Sequence, residues 1–332
     1  MATYKEIKGT GIQFLDADPA NPLIGQVWYN TTSSTLKGTT VGGAAIGTWA
    51  SGGTMNTARA QIAGFGVTAA FGAAMGSTGT ITSNYEQYNG SSWTETTNIN
   101  TAGRNGRGAG TTTAGLVFGG WPRSGATETW NGSAWTEVNE MTRGANASQS
   151  QAAFGTNTAA IAAGGEPGTT YFKLVENWNG SSWTEIAELN TGRQGASGFG
   201  ITTAGFIIGG YNPTISPNPT SFVESWNGSA WTETTNINTA RGAAGASGNT
   251  TSGIFYGGET PGGKPANTEL WNGSSWTEIN DMAVAKLQFG YNSNPSTGST
   301  DALAAGGETP SYVGTTEEWA AADTTTKTFT SS

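Results

Sequence analysis

The side chains best able to do chemistry in this sequence recur at intervals instead of converging. Arg59, Arg104, Arg143, Arg193 and Arg241 appear once per interval, with Lys286 in the sixth place. Two carboxylate series keep step with them: Glu86, Glu128, Glu176, Glu224, Glu269 and Glu317, and Glu95, Glu137, Glu185, Glu233 and Glu278. Catalysis needs unlike groups gathered at one point, so equal spacing assigns these residues to structural hydrogen bonding near a central channel. The sequence has no His and no Cys, which excludes a Ser/His/Asp triad, a thiol nucleophile, a disulfide framework and zinc chemistry. No catalytic residue, metal or cofactor is assigned, and the chain reads as non-enzymatic.

Asp and Glu number 23 against 14 Lys and Arg, giving a net charge of −9. That balance opposes nucleic acid as a partner. No apolar run approaches the length needed to span a bilayer, so membrane insertion is not expected, and Met1 to Thr10 lacks the apolar core of a signal peptide. With 332 residues, 10% of them aromatic, the chain can bury a sizeable core.

The elements that must position these residues are repeats. W-N-G-S-[SA]-W-T-E occurs at 130–137, 178–185, 226–233 and 271–278, and Tyr88 replaces the first Trp at 88–95. Upstream of most copies an apolar run ends in a Gly pair: Gly119-Gly120, Gly164-Gly165, Gly209-Gly210 and Gly257-Gly258. The second Trp positions, Trp93, Trp135, Trp183, Trp231 and Trp276, are 42 to 48 residues apart, a period of propellers or helical arrays. The units are rich in Thr, Gly, Asn and β-branched residues and show no apolar face at helical spacing, which favours strands. In one copy the strands are expected near 245–249, 253–257, 267–271 and 275–279. A lone four-stranded sheet cannot bury its faces, and radial stacking hides its edges.

Six blades are expected, preceded by a small hairpin segment over residues 1–47, with the propeller over 48–332. The last unit runs from Gly290, with Gly306-Gly307, Trp319 and Phe329 in place of the second Trp. In the first unit Ala74-Met75 stands where the Gly pair should be. Thr48-Trp49 reads as an outer strand that pairs with the last blade or belongs to the amino-terminal segment.

The repeated aromatics, Trp93, Trp130, Trp135, Trp178, Trp183, Trp226, Trp231, Trp271, Trp276 and Trp319, are read as packing between blades. The Asn-Gly-Ser elements match a glycosylation acceptor, but they are read as type I′ turns. The loop after each Gly pair behaves differently. The interval from the second Gly to the first Trp varies from 10 to 16 residues, and variable loops on a fixed scaffold are how binding surfaces are built. Trp121, Arg123, Glu166, Tyr171, Phe172, Tyr211, Asn212, Glu259, Lys264, Glu308 and Tyr312 are therefore the candidate ligand contacts. Exposed aromatics beside polar groups suit carbohydrate rings or a protein surface.

Within residues 1–47, Gly25 to Thr32 reads as a strand, followed by a turn and a short returning strand. So small a hairpin must dock on something else, which makes it the natural attachment end.

The Gly pair, the later Trp and the following N-T-A-R resemble kelch-type propellers. G-Q-V-W-Y-N-T-T at 25–32 followed by W-N-G-S-S-W blades is similar to tail-fibre and other virion appendage proteins of bacteriophages, especially those of marine bacteria. The resemblance implies a virion protein that binds a host surface glycan or protein, joins other virion proteins through its amino-terminal segment, and forms a homo-oligomer. A purely architectural role in capsid decoration is one alternative. A glycan-active enzyme is another, since sialidase-like propellers carry an S-x-D-x-G-x-x-W turn distantly similar to N-G-S-S-W, whose Asp is absent here. In that alternative Arg would hold a carboxylate, and Tyr with Glu would form the nucleophile pair. Kelch-based copper oxidases need His ligands and are excluded.

Overall fold

The computed structural model describes residues 12–19, 26–41, 47–123, 125–143, 150–165, 173–292, 298–321 and 324–329. Seven four-stranded sheets account for the strands, and the chain divides into two compact units, residues 48–320 and residues 1–47 with 321–332.

The larger unit is a six-bladed propeller of antiparallel blades. Blade 1 comprises Ala63–Val67, Ala70–Ser77, Ile81–Tyr88 and Trp93–Glu95. Blade 2 comprises Arg107–Thr111, Ala114–Phe118, Thr127–Trp130 and Trp135–Val138. Blade 3 comprises Ala152–Gly155, Ala160–Ala163, Val175–Trp178 and Trp183–Ile186. Blade 4 comprises Ser197–Ile201, Ala204–Ile208, Val223–Trp226 and Trp231–Glu233. Blade 5 comprises Gly245–Asn249, Ser252–Tyr256, Thr268–Trp271 and Trp276–Ile279.

Blade 6 takes three strands from the end of the propeller, Gly290–Tyr291, Asp301–Ala305 and Thr316–Ala320, and its outer strand, Thr48–Ser51, from the beginning. This settles the closure and corrects the expected sixth unit. Trp49 lies opposite Trp319 with ring centroids 5.6 Å apart, so Trp49 supplies the second Trp. The strand Thr324–Phe329 belongs to the other unit, where it pairs with Thr35–Val41. The propeller therefore ends at Ala320, not at residue 332.

The Trp pairs fill the space between blades. Trp226 and Trp231 of blade 4 pack on Phe154, Ile161 and Val175 of blade 3. Trp271 and Trp276 pack on Phe206 and Ile208 of blade 4, and Trp130 and Trp135 on Phe65 and Tyr85 of blade 1. Each indole N–H finds an acceptor, as in Trp130 Nε1 to Thr112 O (2.8 Å) and Trp135 Nε1 to Thr97 O (3.1 Å). Burying such a ring is worth several kcal/mol, at roughly 25 cal/mol per Å² over about 150–250 Å².

The Asn-Gly-Ser turns are not type I′. That turn needs positive φ at both central residues, whereas Gly132 has φ 95° and Asn131 is not in the left-handed region. The turn is a four-residue loop between paired Trp130 and Trp135, with Asn131 Oδ1 accepting from Ser133 N, Ser133 Oγ and Ala134 N, each at 2.9 Å. The Gly-pair conformation of about 62° then 96° at Gly119-Gly120 falls in blade 1 on Met75 (52°) and Gly76 (132°), one residue later than expected.

In the smaller unit, Gln13–Leu15 pairs in parallel with Val27–Asn30, which pairs antiparallel with Thr35–Val41. Asp18 organises it, accepting from Trp28 Nε1 (3.0 Å), Asn30 Nδ2 (2.8 Å) and Lys37 Nζ (2.7 Å). Those donors hold its carboxyl at about 2, Lys37 contributing most.

Candidate functional site at the channel mouth

The repeated Arg and Glu residues form one buried clasp per blade. Glu86, on the third strand of blade 1, accepts from Arg59 Nη1, Asn56 N (2.7 Å) and Thr57 N (3.3 Å) of the preceding connection. Arg193 with Glu224, Arg241 with Glu269 and Arg143 with Glu176 repeat it, and Lys286 Nζ stands 3.7 Å from Glu317 in blade 6. Burial pulls these basic groups downward and their carboxylate partners pull them back up. Lys286 Nζ also donates to Ala304 O (3.0 Å) and Thr315 O (3.1 Å), and burial, with its carboxylate at the longer distance, brings it down to about 8.

Blade 2 departs from the rule. Arg104 is displaced by one residue, because Gly103 occupies the clasp position, and Arg123 reaches Glu128 instead at 2.8 Å, both side chains fully buried. The assignment of Arg123 to the binding face is thus corrected. Its charge is spent on a buried carboxylate that would otherwise be unpaired.

Two residues beyond most clasps comes a residue in the left-handed region: Gln61 (φ 61°), Gly195 (59°), Ala243 (52°) and Gln288 (56°), with Asn105 (59°) and Ser150 (52°) in blades 2 and 3. Each donates its N–H to its counterpart in the neighbouring blade. The bonds run Gln61 to Gln288 (2.6 Å), Asn105 to Gln61 (3.0 Å), Ser150 to Asn105 (3.0 Å), Gly195 to Ser150 (2.7 Å), Ala243 to Gly195 (2.7 Å) and Gln288 to Ala243 (2.9 Å). The six form a closed amide belt around the channel. A left-handed L-residue costs roughly 1–2 kcal/mol, offset here by a bond that only this conformation aims at the next blade.

Above the belt the variable loops lie against the connections, as in the paired backbones of Gln194 with Tyr211 and Gly242 with Glu259. Several candidate contacts bind one another across blades. Tyr211 Oη donates to Glu259 Oε2 (2.9 Å), Lys264 Nζ reaches Glu308 Oε1 (3.1 Å), and the Tyr312 hydroxyl stands 3.4 Å from Ser77 Oγ. Asn212 is buried; its amide donates to Gly192 O (2.6 Å) and its carbonyl accepts from Thr214 N (2.9 Å), so it orders its loop and is corrected as a free ligand contact. Trp121 is 40% exposed, with the Arg104 guanidinium 5.0 Å from its ring centroid. Glu166, Tyr171 and Phe172 lie outside the described residues.

Of the candidates, Tyr211 and Glu259 reach the channel. They line a cavity of about 150 Å³ together with Gln194, the belt residues, Arg107 and Tyr291. The Tyr211 ring lies over Gly195 and Gly242, where an added Cβ would stand 2.8 Å and 2.3 Å from ring carbons. Burial, with the Glu259 carboxylate reinforcing it, pushes the Tyr211 phenol well upward. The belt, Arg107 and Tyr291 were missed because the repeat was read through its identical letters. The available signal was position, since the residue two after Arg59, Arg193, Arg241 and Lys286 changes identity while its spacing does not.

No protein-family model matches the chain, and no curated protein matches it. Among solved structures it is similar to YjhT, with a TM-score of 0.62 and 14% identity over 83% of this chain and 96% of that one. That likeness shows the propeller fold alone, and on that frame the expectation that the chain is not an enzyme does not stand. A propeller frame hosts unrelated functions, and the argument from equal spacing does not reach the mouth, where the unlike groups Tyr211, Glu259 and Arg107 line one cavity.

Proposed function

We propose that the propeller recognises carbohydrate at the mouth of its channel. On the resemblance of its amino-terminal segment and blades, it would do so as a virion appendage protein attaching to a host surface glycan, held to other virion proteins through residues 1–47. The observation that carries this reading is the break in symmetry at the mouth. Six blades share one belt, yet Tyr211, Glu259 and Gln194 make one side of it a polar cavity with an aromatic wall. Aromatic faces beside hydrogen-bonding groups suit a sugar ring, and Trp121 offers a second, exposed face on blade 2. The test is glycan-array binding by the full chain, repeated after Tyr211→Ala and Trp121→Ala. Binding that Tyr211→Ala abolishes supports the reading; an array on which the wild-type chain binds nothing rejects it.

The Tyr211 to Glu259 hydrogen bond favours a second reading, glycoside cleavage. Glu259 is placed to take the phenol proton as Tyr211 Oη bonds to an anomeric carbon and the C–O bond to the aglycone breaks. The aglycone leaves as its anion, and water then cleaves the glycosyl–tyrosine link. Release of nitrophenol from aryl glycosides, lost in both Tyr211→Phe and Glu259→Gln, is its signature.

A further inference from the structure

Seven arginines are present in the sequence. Five are ion-paired to buried glutamates. Arg104 and Arg107 are the two with no carboxylate partner among the described residues, and they flank the belt residue Asn105. Of the two, Arg107 lines the channel cavity, while Arg104 lies against the Trp121 ring.

Arg107 lines the cavity, with Nη1 donating to Gly106 O (3.1 Å) and Nε buried without a partner. Across from it, Tyr291 is 5% exposed and its hydroxyl is likewise unpartnered, the Arg107 guanidinium carbon lying 5.9 Å from its ring. Gln61 adds a buried carboxamide oxygen without a partner. Gly195, against which the Tyr211 ring packs, and Ala243 complete the lining. Buried polar atoms are normally hydrogen-bonded, so three unpartnered ones on residues lining one void offer bonding capacity to a polar group that enters it. The void of about 150 Å³ is smaller than the roughly 300–1,000 Å³ of drug-sized pockets, which limits the ligand to one small group.

We propose that this part of the channel receives the carboxylate of an acidic sugar residue of the uronate type, with Arg107 and the Tyr291 hydroxyl donating to its oxygens. The proposal rests on reading the mouth as a carbohydrate site. Tyr211 and Glu259 would then face the sugar ring while its acid group points inward. One guanidinium fits a singly charged carboxylate, and charge-assisted bonds of this kind are the strong ones.

The test is calorimetric titration of the full chain with glucuronate, glucose and inorganic phosphate. Glucuronate is expected to saturate one site, with glucose and phosphate weaker by at least about thirtyfold. Arg107→Gln should weaken glucuronate by a similar factor. Tyr291→Phe removes a hydroxyl that holds nothing in the unliganded fold, so it should weaken glucuronate about fivefold without lowering the melting temperature. Equal binding of glucuronate by wild type and both variants overturns the proposal, as does glucose binding as tightly as glucuronate. Phosphate binding as tightly also overturns it, in favour of a free-anion site. Binding of a glucuronate-terminated glycan that depends on Tyr211 but not on Arg107 rejects this inference alone. Glucuronate binding with a silent glycan array sustains it and rejects the host-glycan reading.

Discussion

Arg123 occupies the space that Gly103 leaves open: a Cβ on Gly103 would stand 2.5 Å from Arg123 Cδ and 2.8 Å from its Cγ. The two residues are one substitution in structural terms. The clasp cation of blade 2 comes from the loop instead of the connection, and the connection gives up its side chain to admit it. Arg123→Ala should therefore cost about 3–5 kcal/mol, the penalty of a buried carboxylate left alone, whereas Arg104→Ala should stay within about 0.5 kcal/mol. Chemical denaturation of both variants checks this, and the reverse order would show that the clasp is misassigned.

Gly103→Ala tests the same relationship from the other side. The methyl group meets the aliphatic stem of a fully buried arginine, so a loss of about 1–3 kcal/mol is expected from overpacking. A second substitution, Arg123→Ala, in the same chain should make the added methyl nearly neutral, a non-additivity that a double-mutant cycle reads directly.

Closure through Thr48–Ser51 predicts that Trp49 belongs energetically to the end of the propeller. Its ring lies 4.8 Å from Tyr256 of blade 5, and its indole N–H donates to Thr268 Oγ1 at 2.9 Å. Trp49→Ala should cost about 3–5 kcal/mol. Denaturation with an unchanged midpoint would disconnect this strand from blade 6.

Gly180 has φ 95° in the four-residue turn of blade 3. Gly180→Ala should destabilise by on the order of 1 kcal/mol, because alanine is strained there. Its Cβ would stand 3.3 Å from Thr158 O, a tight contact with backbone that acts in the same direction. A neutral thermal shift would contradict the turn geometry.

Lys286 gives a pH prediction with a definite sign. Burial lowers its ammonium to about 8 from 10.5 despite Glu317. Between those values the unfolded chain binds the proton that the native chain has released, so stability rises with pH. The burial cost is fully present below about pH 8. Measured against Lys286→Arg, which stays charged throughout, the wild-type advantage should grow by on the order of 2 kcal/mol between about pH 8 and 9.5. A flat or falling difference in urea titrations rejects the account.

Much of the fold was legible because it is written in identical residues. The Trp pairs, the Gly pairs and the Asn-Gly loops each fix a local geometry that recurs, and a period above forty residues leaves few architectures. The site was less legible for the converse reason. Arg104 carries the right letter in nearly the right place, but one displaced residue turned a clasp into a stacking partner for Trp121. Arg123 looked like a loop ligand because nothing in its neighbourhood reveals that Glu128 lacks its usual cation. Trp49 and Trp319 are about 270 residues apart, a pairing that alternation along the chain does not encode. Tyr211 and Glu259 were chosen for loop variability, and their meeting at 2.9 Å depends on two glycines, Gly195 and Gly242, that make room for the ring.

Because Ala320 lies opposite Thr48 on adjacent strands, the chain enters and leaves the propeller at one corner. In the other unit Thr324–Phe329 pairs with Thr35–Val41. Residues 48–320 thus form a cassette spliced between neighbouring strands of a separate sheet. A propeller inserted there as one continuous segment leaves the strand order of that sheet unchanged.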